Sequence, residues 1–252
     1  MKQERPAAAW PRVVAHRGLS GVCPENTLPA FAAAVALGAP EVELDLWASR
    51  DGELVVCHDE TVDRTSDGHG RIGDLTWAEL RRLDAGRWHH SQWAGVPFCH
   101  FDEVLALCGG RVVFNVHVKE PGPDGLVVRR VRELAAARGV LADVYLAGTS
   151  DVLAWGLKVA PDVARCCLEG HHRGAAMLDC ALAHQCARVQ FWNPNFTPDD
   201  ITRAHQHGLR CNSFFGDRPD TPAEALRLLG LGVDAVLTNW ANTVLPALRA
   251  AG

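Results

Sequence analysis

The stretch Val42-Glu43-Leu44-Asp45-Leu46 alternates large aliphatic residues with two carboxylates. This period of two predicts a β-strand whose opposite faces differ in polarity, with Glu43 and Asp45 on the same face. Two carboxylates on one enclosed face repel each other unless a cation or a proton is shared between them. The stretch therefore predicts both a strand and a divalent metal site, with a salt-bridged structural pair as the alternative interpretation.

Seven further apolar or β-branched runs accompany this strand, and alanine- and leucine-rich stretches of helical period lie between them. The eight predicted strands are Val13–Ala15, Val42–Leu46, Val112–Val118, Val144–Ala147, Ala164–Leu168, Arg188–Phe191, Leu209–Ser213 and Ala235–Leu237. The predicted helices are Leu28–Leu37, Asp124–Arg138, Gly174–Gln185, Pro198–His207 and Thr221–Leu229. Repeated β–α units with eight strands predict an α/β fold of the TIM (β/α)8 barrel type.

The chain length of 252 residues suits one barrel of this kind, which commonly takes about 200 to 250 residues. One connection is unusual, because residues 51–99 contain an Asp-Gly turn, the strand-like Leu54–Cys57, a polar glycine-rich segment and a short helix at Trp77–Leu83. We interpret residues 51–99 as a small inserted segment over the barrel mouth. Because no linker or tandem repeat divides the sequence, we predict one domain over residues 1–252.

Composition limits the classes of partner. A formal net charge of -5 provides no general attraction to nucleic acid or to an anionic membrane, so we expect neither as a partner. The nine scattered cysteines lack paired CxxC spacing, which indicates buried, reduced thiols. Because no apolar run reaches the roughly 18 residues of a membrane span, we expect a cytoplasmic protein without stable membrane association. The oligomeric state is left open.

Polar residues at strand ends are candidates for catalysis, because the carboxyl ends of barrel strands meet at one mouth. His16 and Arg17 follow the first strand, His58 follows the strand of the inserted segment, and His117 and Lys119 end the next barrel strand. His16 and His58 suit proton transfer, because imidazole titrates near neutrality. Arg17 and Lys119 suit phosphate binding, with pairing to the two carboxylates of the acidic strand as the alternative.

These residues belong to a longer ordered series of motifs. The series comprises Ala15-His16-Arg17-Gly18, Pro24-Glu25-Asn26-Thr27, Glu43-Leu44-Asp45, Val56-Cys57-His58-Asp59, Arg64-Thr65, Gly68-His69-Gly70, Leu83-Asp84-Ala85-Gly86 and Gly232-Val233-Asp234-Ala235-Val236-Leu237-Thr238-Asn239. With these motifs in this order, nearly the whole chain resembles the glycerophosphodiester phosphodiesterase family. The resemblance implies a TIM barrel with a small inserted subdomain, a divalent cation such as Ca²⁺ or Mg²⁺, and cleavage of a small-molecule phosphodiester, releasing glycerol phosphate and an alcohol.

The resemblance also implies roles for single positions. The matching positions are His16 and His58 for acid–base catalysis, Arg17 and Lys119 for phosphate, and Glu43 and Asp45 for metal. His117 departs from the family pattern, which has a metal-binding glutamate there. A neutral imidazole removes a negative charge and replaces oxygen by nitrogen, which favours Mn²⁺, Fe²⁺, Co²⁺ or Zn²⁺ over Ca²⁺ and Mg²⁺. An impaired site is the alternative, and Glu169 at the end of the fifth strand is a candidate replacement ligand.

The predicted substrate walls lie at the ends of the sixth and seventh strands. Gln190 and Trp192 are expected to line the pocket, and Phe214 stands where family members often carry a tryptophan. Two other functions stay open at this point. One is cleavage of a lysophospholipid or sphingolipid head group, and the other is a non-catalytic barrel that binds phosphorylated small molecules. The four predicted catalytic residues occur together, which argues against the non-catalytic barrel.

Overall fold

A closed barrel of parallel strands forms within residues 12–169 and 174–251, which are the residues that the computed structural model describes. Its eight strands are β1 (Arg12–Ala15), β2 (Glu41–Ala48), β4 (Val113–Val118), β5 (Val144–Gly148), β6 (Ala164–Cys167), β7 (Arg188–Trp192), β8 (Arg210–Phe214) and β9 (Ala235–Thr238). Strand β1 pairs in parallel with both β2 and β9, which closes the sheet. The predicted TIM barrel is therefore confirmed.

The helices of the described residues include those that cover the barrel from outside. They are α1 (Leu28–Leu37), α2 (Trp77–Leu80), α3 (Phe101–Cys108), α4 (Leu126–Ala137), α5 (Ser150–Val159), α6 (Gly174–Ala183), α7 (Pro198–Gln206), α8 (Pro222–Gly230) and α9 (Ala241–Ala251). Helices α1, α4, α6, α7 and α8 agree with the predicted helices to within about two residues, and α7 begins with a capping box between Thr197 and Asp200.

The sequence analysis missed three helices. Each contains a residue that weakens the local helix signal, namely His100 at the N-cap of α3, Gly156 in α5 and Pro246 in α9. Each of the three nevertheless contributes apolar residues to the main hydrophobic core. Packing against the sheet therefore outweighs intrinsic helix propensity in these segments.

Strand β2 separates the hydrophobic core from the polar barrel interior. Val42, Leu44 and Leu46 have no exposed surface and belong to the core shared with the helices. Glu43 and Asp45 point to the other face of the strand and are almost completely buried. The alternation of the sequence thus places both carboxylates inside the barrel, in the middle part of β2.

The segment after β2 has a small hydrophobic cluster of its own. Strand β3 (Leu54–Val56) pairs antiparallel with β2, outside the closed barrel. Val55, Val62, Ile72 and Phe98 pack together in this cluster. The same segment also brings His58 to the barrel mouth, where it lines a cavity together with His16 and Asp45.

Two predictions about the whole chain can be compared with the structure. All nine cysteines are free, and seven of them are buried, in agreement with the expectation of burial. Within the described ranges, none of the helices combines the length and apolarity that a membrane crossing requires.

Candidate active site

Three potential metal ligands converge on the neighbouring strands β2 and β4. Asp45 and His117 are register partners across these two strands, and Asp45 Oδ1 lies 3.0 Å from His117 Nδ1. Ligand atoms of Glu43, Asp45 and His117 all lie within 4.8 Å of one another. The strand register therefore assembles two carboxylates and one imidazole in a single group.

The two carboxylates of this group differ in their preferred charge. Burial and the nearby Asp45 carboxylate raise the pKa of Glu43 to about 8. Burial alone would also raise the pKa of Asp45, but Lys119, the hydrogen bond from His117 and the positive charge of Arg17 together lower it well below its usual value. Without an added cation, the Glu43 and Asp45 carboxyl groups therefore favour one negative charge between them, on Asp45. A bound divalent cation would stabilise both of them in the ionised form.

Arg17 reaches the group through a tight turn after β1. Arg17 adopts a left-handed backbone conformation with φ 55°, and its backbone N–H donates to Glu43 Oε2 at 3.0 Å. Gly18 also has a positive φ, and a Cβ atom there would lie 2.7 Å from the backbone of Ala30. The Arg17 guanidinium donates to Glu25 at 2.9 Å and lies 3.4 Å from Asp45. The turn thus directs both the backbone and the side chain of Arg17 toward the carboxylates.

Lys119 lies between two of the potential ligands. Its Nζ is 2.8 Å from Asp45 Oδ1 and 3.1 Å from His117 Nδ1. Burial and the positive charge of Lys119 lower the pKa of His117 to about 4, so the neutral ring is favoured. A neutral imidazole has a lone pair available for a metal. The arrangement is therefore compatible with His117 as a ligand.

His16 lies at the end of β1 and is 8% exposed. Burial and the Arg17 charge lower its pKa to about 3, which favours a neutral ring. Its Nδ1 lies 2.7 Å from Asn239 Oδ1, and its Nε2 lies 3.8 Å from Glu43 Oε2. The ring of Phe214 is 4.7 Å away, centroid to centroid. These contacts fix the ring at the edge of the carboxylate group.

His58 has a different, acidic partner. Its Nδ1 lies 2.6 Å from Asp59 Oδ1, and its backbone carbonyl accepts a hydrogen bond from the indole of Trp47. Burial alone would raise the pKa of Asp59, but hydrogen bonds from Arg64 and His58 lower it to about 2. Burial lowers the pKa of His58 itself. His58 is thus paired with an ionised carboxylate and His16 with a neutral amide.

Two adjacent cavities open at the barrel mouth. The inner cavity, of about 430 Å³, is lined by His16, Arg17, Glu43, Asp45, His58, His117, Thr149, Leu168, Gln190, Phe191, Trp192 and Phe214. The outer cavity, of about 420 Å³, is lined by His16, Arg17, Ser20, Gly21, Glu25, Phe214, Asn239 and Trp240. His16, Arg17 and Phe214 line both cavities. Nine of the eleven predicted site residues thus line the inner cavity. Lys119 does not line it but contacts Asp45 and His117, which do.

Glu169 lies elsewhere. Its carboxylate accepts hydrogen bonds from the backbone N–H of Ser150 and from the thiol of Cys180. It is not among the three residues whose ligand atoms approach one another within 4.8 Å. The structure therefore gives no contact that would make Glu169 a replacement ligand for this group.

Comparison with known proteins identifies the family. Residues 16–161, more than half of the chain, match the model of the Glycerophosphoryl diester phosphodiesterase family. A glycerophosphodiester phosphodiesterase of Caldanaerobacter subterraneus subsp. tengcongensis is 30% identical over 255 residues, which cover 95% of this chain and 98% of that protein. The chain belongs to the glycerophosphoryl diester phosphodiesterase family.

Solved structures of phosphodiesterases share this fold. An Oleispira antarctica phosphodiesterase in complex with the product sn-glycerol-3-phosphate has a TM-score of 0.85 and 26% identity, and the match covers 95% of this chain and 97% of that chain. A glycerophosphodiester phosphodiesterase from Agrobacterium tumefaciens has a TM-score of 0.77 and 26% identity, over 96% and 99% of the two chains. Similarity to the glycerophosphodiester phosphodiesterase family therefore extends over nearly the entire barrel.

A second group of metal-ligand type lies apart from the candidate site and has a structural explanation. His205, Cys211 and Asp234 approach one another within 4.8 Å. Asp234 accepts hydrogen bonds from the His205 ring, the Cys211 backbone and the Arg210 guanidinium. Burial and the nearby Asp234 charge raise the pKa of Cys211 to about 12, which disfavours the thiolate that a metal would need. We interpret this group as a hydrogen-bond network.

Sequence analysis missed the residues that hold the predicted site in place. Asn26 donates to Asp45 Oδ2 at 2.9 Å, Asp59 contacts His58, and Asn239 contacts His16. All three occur inside the quoted motifs, but no role was predicted for them. Three further residues that line the inner cavity were also missed, namely Thr149, Leu168 and Phe191. Leu168 and Phe191 end predicted strands, and Thr149 lies two residues after one, so weighting every strand end equally would have found them.

Proposed function

We propose that the chain is a metal-dependent phosphodiesterase that hydrolyses small glycerophosphodiesters to a glycerol phosphate and an alcohol. The observation that carries the proposal is the convergence of three potential metal ligands, two cationic side chains and two histidines at one barrel mouth. Family membership supports the same reaction class.

Glu43, Asp45 and His117 would hold the metal ion. Their donor set fits a divalent cation, because two buried carboxylates face each other and the neutral His117 ring offers a nitrogen. A bound divalent cation would supply Lewis-acid stabilisation of the charge on the phosphate oxygens. The nitrogen donor and the loss of one carboxylate relative to the family pattern support Mn²⁺, Fe²⁺, Co²⁺ or Zn²⁺ over Mg²⁺ and Ca²⁺.

Arg17 and Lys119 are proposed to bind the phosphate. Both cations are held against Asp45, Arg17 at 3.4 Å and Lys119 at 2.8 Å, so they lie beside the proposed metal ligands. The planar guanidinium can donate two parallel hydrogen bonds to a phosphate, whereas the ammonium acts as a point charge. Their positive charges would stabilise the charge that develops in the transition state.

His16 and His58 are proposed to move protons. One ring would take the proton from the attacking water or substrate hydroxyl, and the other would donate a proton to the departing alkoxide. Both rings line the inner cavity, and each has an Nδ1 partner that leaves its Nε2 available. If a substrate hydroxyl attacks, a cyclic phosphate forms first and ³¹P NMR will detect it as a transient signal.

The two cavities are proposed to take the two alcohol arms of the substrate. A phosphate beside His16 and Arg17 would lie where both cavities meet. Gln190, Trp192 and Phe214 would then contact the arm in the inner cavity, and Trp240 the arm in the outer cavity. The limited size of both cavities favours small head groups over lipid chains.

The first test is metal content combined with turnover. Protein purified without chelator or affinity metal is analysed for bound elements, and hydrolysis of glycerophosphocholine and glycerophosphoglycerol is followed by ³¹P NMR after each divalent ion is added back. We expect glycerol phosphate as the phosphorus-containing product and loss of turnover in His16→Gln and His58→Gln, but not in the exposed His69→Gln. Absence of turnover with every ion would favour a non-catalytic binding protein, and faster cleavage of lysophospholipid would favour the lipid alternative.

A further inference from the structure

We propose that Asn239 positions the imidazole of His16 in the tautomer that has hydrogen on Nδ1 and a lone pair on Nε2. Asn239 would thus be a positioning residue for proton transfer. The catalytic consequence rests on the proposed phosphodiesterase function, whereas the tautomer itself can be measured without turnover.

The contact between the two side chains is direct. Asn239 Oδ1 lies 2.7 Å from His16 Nδ1 and 3.0 Å from the hydroxyl of Ser20. The Ser20 hydroxyl also lies 2.7 Å from the backbone carbonyl of His16, so its one hydrogen is shared between the two oxygens. An amide oxygen has no hydrogen, so in this orientation Asn239 Oδ1 can only accept from the His16 ring. The ring nitrogen that faces this oxygen must therefore carry hydrogen. In a neutral imidazole, the other nitrogen, Nε2, then has the lone pair.

Several backbone and side-chain contacts hold Asn239 in place. Its backbone N–H donates to Asp220 Oδ2 at 2.8 Å, and its carbonyl accepts from the backbone N–H of Gly21 at 2.8 Å. The preceding Thr238 donates its hydroxyl to Asp220 Oδ1 at 2.6 Å, and its carbonyl accepts from the backbone N–H of His16 at 3.0 Å. The turn after β9 is therefore fixed relative to the end of β1, so Asn239 meets the ring in one defined place.

The His16 ring is also constrained on its other sides. Phe214 packs against it at 4.7 Å between ring centroids, with a 44° angle between the planes. The Nε2 atom lies 3.8 Å from Glu43 Oε2, on the side of the ring that faces the proposed metal ligands. In the proposed tautomer, Nε2 can accept a proton as the O–H bond of the nucleophile breaks. The resulting imidazolium keeps its Nδ1–H bond to Asn239.

The reversed amide orientation makes the opposite prediction. It would place the Asn239 NH₂ group against His16 Nδ1, which would then have to accept and would leave hydrogen on Nε2. A carboxylate can imitate the amide oxygen but not the NH₂ group. Asn239→Asp therefore preserves the first arrangement and destroys the second.

The experiment measures the ring nitrogens of His16 directly. Spectra of ¹⁵N-labelled protein distinguish hydrogen-bearing from lone-pair nitrogens, and His16→Gln identifies the His16 signals among the 12 histidines. We expect Nδ1–H and bare Nε2 in the wild type and in Asn239→Asp. In Asn239→Leu we expect the Nε2–H tautomer to appear. We also expect kcat to fall about 10- to 100-fold, the usual range when a partner that orients a functional imidazole is removed, with little change in KM.

A matched control separates positioning from general damage to the turn. Asn242 lies in α9, and its Oδ1 makes no hydrogen bond with any residue of the described ranges. Asn242→Leu should therefore leave the His16 spectrum and kcat unchanged. Hydrogen on Nε2 in the wild type, or an unchanged tautomer in folded Asn239→Leu, would overturn the inference. The expected spectra without turnover on any phosphodiester would instead reject the proposed function and leave the positioning role intact.

Discussion

Asp45 and His117 are direct register partners on adjacent parallel strands, and Asp45 Oδ1 lies 3.0 Å from His117 Nδ1. Backbone pairing therefore fixes the spacing of a carboxylate and an imidazole at the point where family members are expected to have two carboxylates. Because the backbone sets this distance, a substitution at position 117 changes the donor atoms with little change in the strand geometry. The identity of residue 117 should thus control metal preference.

His117→Glu should shift metal preference toward Mg²⁺ and Ca²⁺. The substitution restores an oxygen donor and one negative charge, which favour hard cations. Competition dialysis against equal concentrations of Mg²⁺, Mn²⁺, Co²⁺ and Zn²⁺, followed by elemental analysis, measures the preference without reference to activity. The exposed His69→Glu variant is the control and should bind metals as the wild type does. Equal metal selectivity in all three proteins would contradict a ligand role for His117.

Asp59→Asn should lower kcat by roughly tenfold or more. A positioned acid–base histidine accelerates a reaction by about 10² to 10⁴, and part of this acceleration depends on the orientation of its ring. Asp59 lies 2.6 Å from His58 Nδ1 and also accepts from Arg64, so the substitution removes the negative charge beside the ring. Steady-state kinetics on glycerophosphocholine checks this. Asp63→Asn removes a carboxylate from the same segment that contacts the exposed His69 ring, Gly70 and Thr61, and should retain activity. An unchanged kcat in Asp59→Asn would exclude orientation of His58 by Asp59.

Trp240→Ala should raise KM by roughly fivefold and leave kcat nearly unchanged. The indole is 42% exposed, packs over Gly21 and lines the outer cavity, so it is placed to contact one arm of the substrate. Loss of one aromatic contact costs about 1 kcal/mol. Kinetics with glycerophosphodiesters that differ in one alcohol measure the effect. Leu226→Ala removes a similarly exposed apolar side chain on α8 and should leave KM unchanged. If both variants have the same KM, the outer cavity does not bind the substrate.

Asp234→Asn should reduce the free energy of unfolding at pH 7 by about 1 to 3 kcal/mol, the range for a buried charged hydrogen-bond partner. Burial alone would raise the pKa of Asp234, but hydrogen bonds from Cys211, His205 and Arg210 lower it. A depressed folded-state pKa gives stability that is present above the unfolded value of about 3.9 and is lost as the pH falls through the folded value. The difference from the wild type should therefore shrink below about pH 4.

Urea denaturation of both proteins at pH 7 and at low pH measures this difference. The exposed Asp217→Asn variant serves as the control and should match the wild type at both pH values. A stability difference that stays constant down to acidic pH would show that Asp234 acts through packing rather than through its charge.

The sequence by itself determined the strand positions, the barrel class and the chemical types at the mouth. These features depend on local periodicity, because residues two apart on a strand share a face and strand ends share one edge of a parallel sheet. The alternation Val42–Leu46 thus placed Glu43 and Asp45 correctly inside the barrel. Helices α3, α5 and α9 were missed because packing, rather than local propensity, stabilises them.

Only the tertiary structure decided the partners of these residues. His16 meets Asn239 across 223 positions of sequence, and Asn26 meets Asp45 across 19. Such contacts arise when the barrel closes and brings the turns after different strands together, and no periodicity in the sequence encodes which turns meet. The barrel mouth also contains two cavities that share His16, Arg17 and Phe214, and this arrangement likewise arises from barrel closure. Local spacing therefore identified the candidate groups, whereas barrel closure determined their orientation, charge and access.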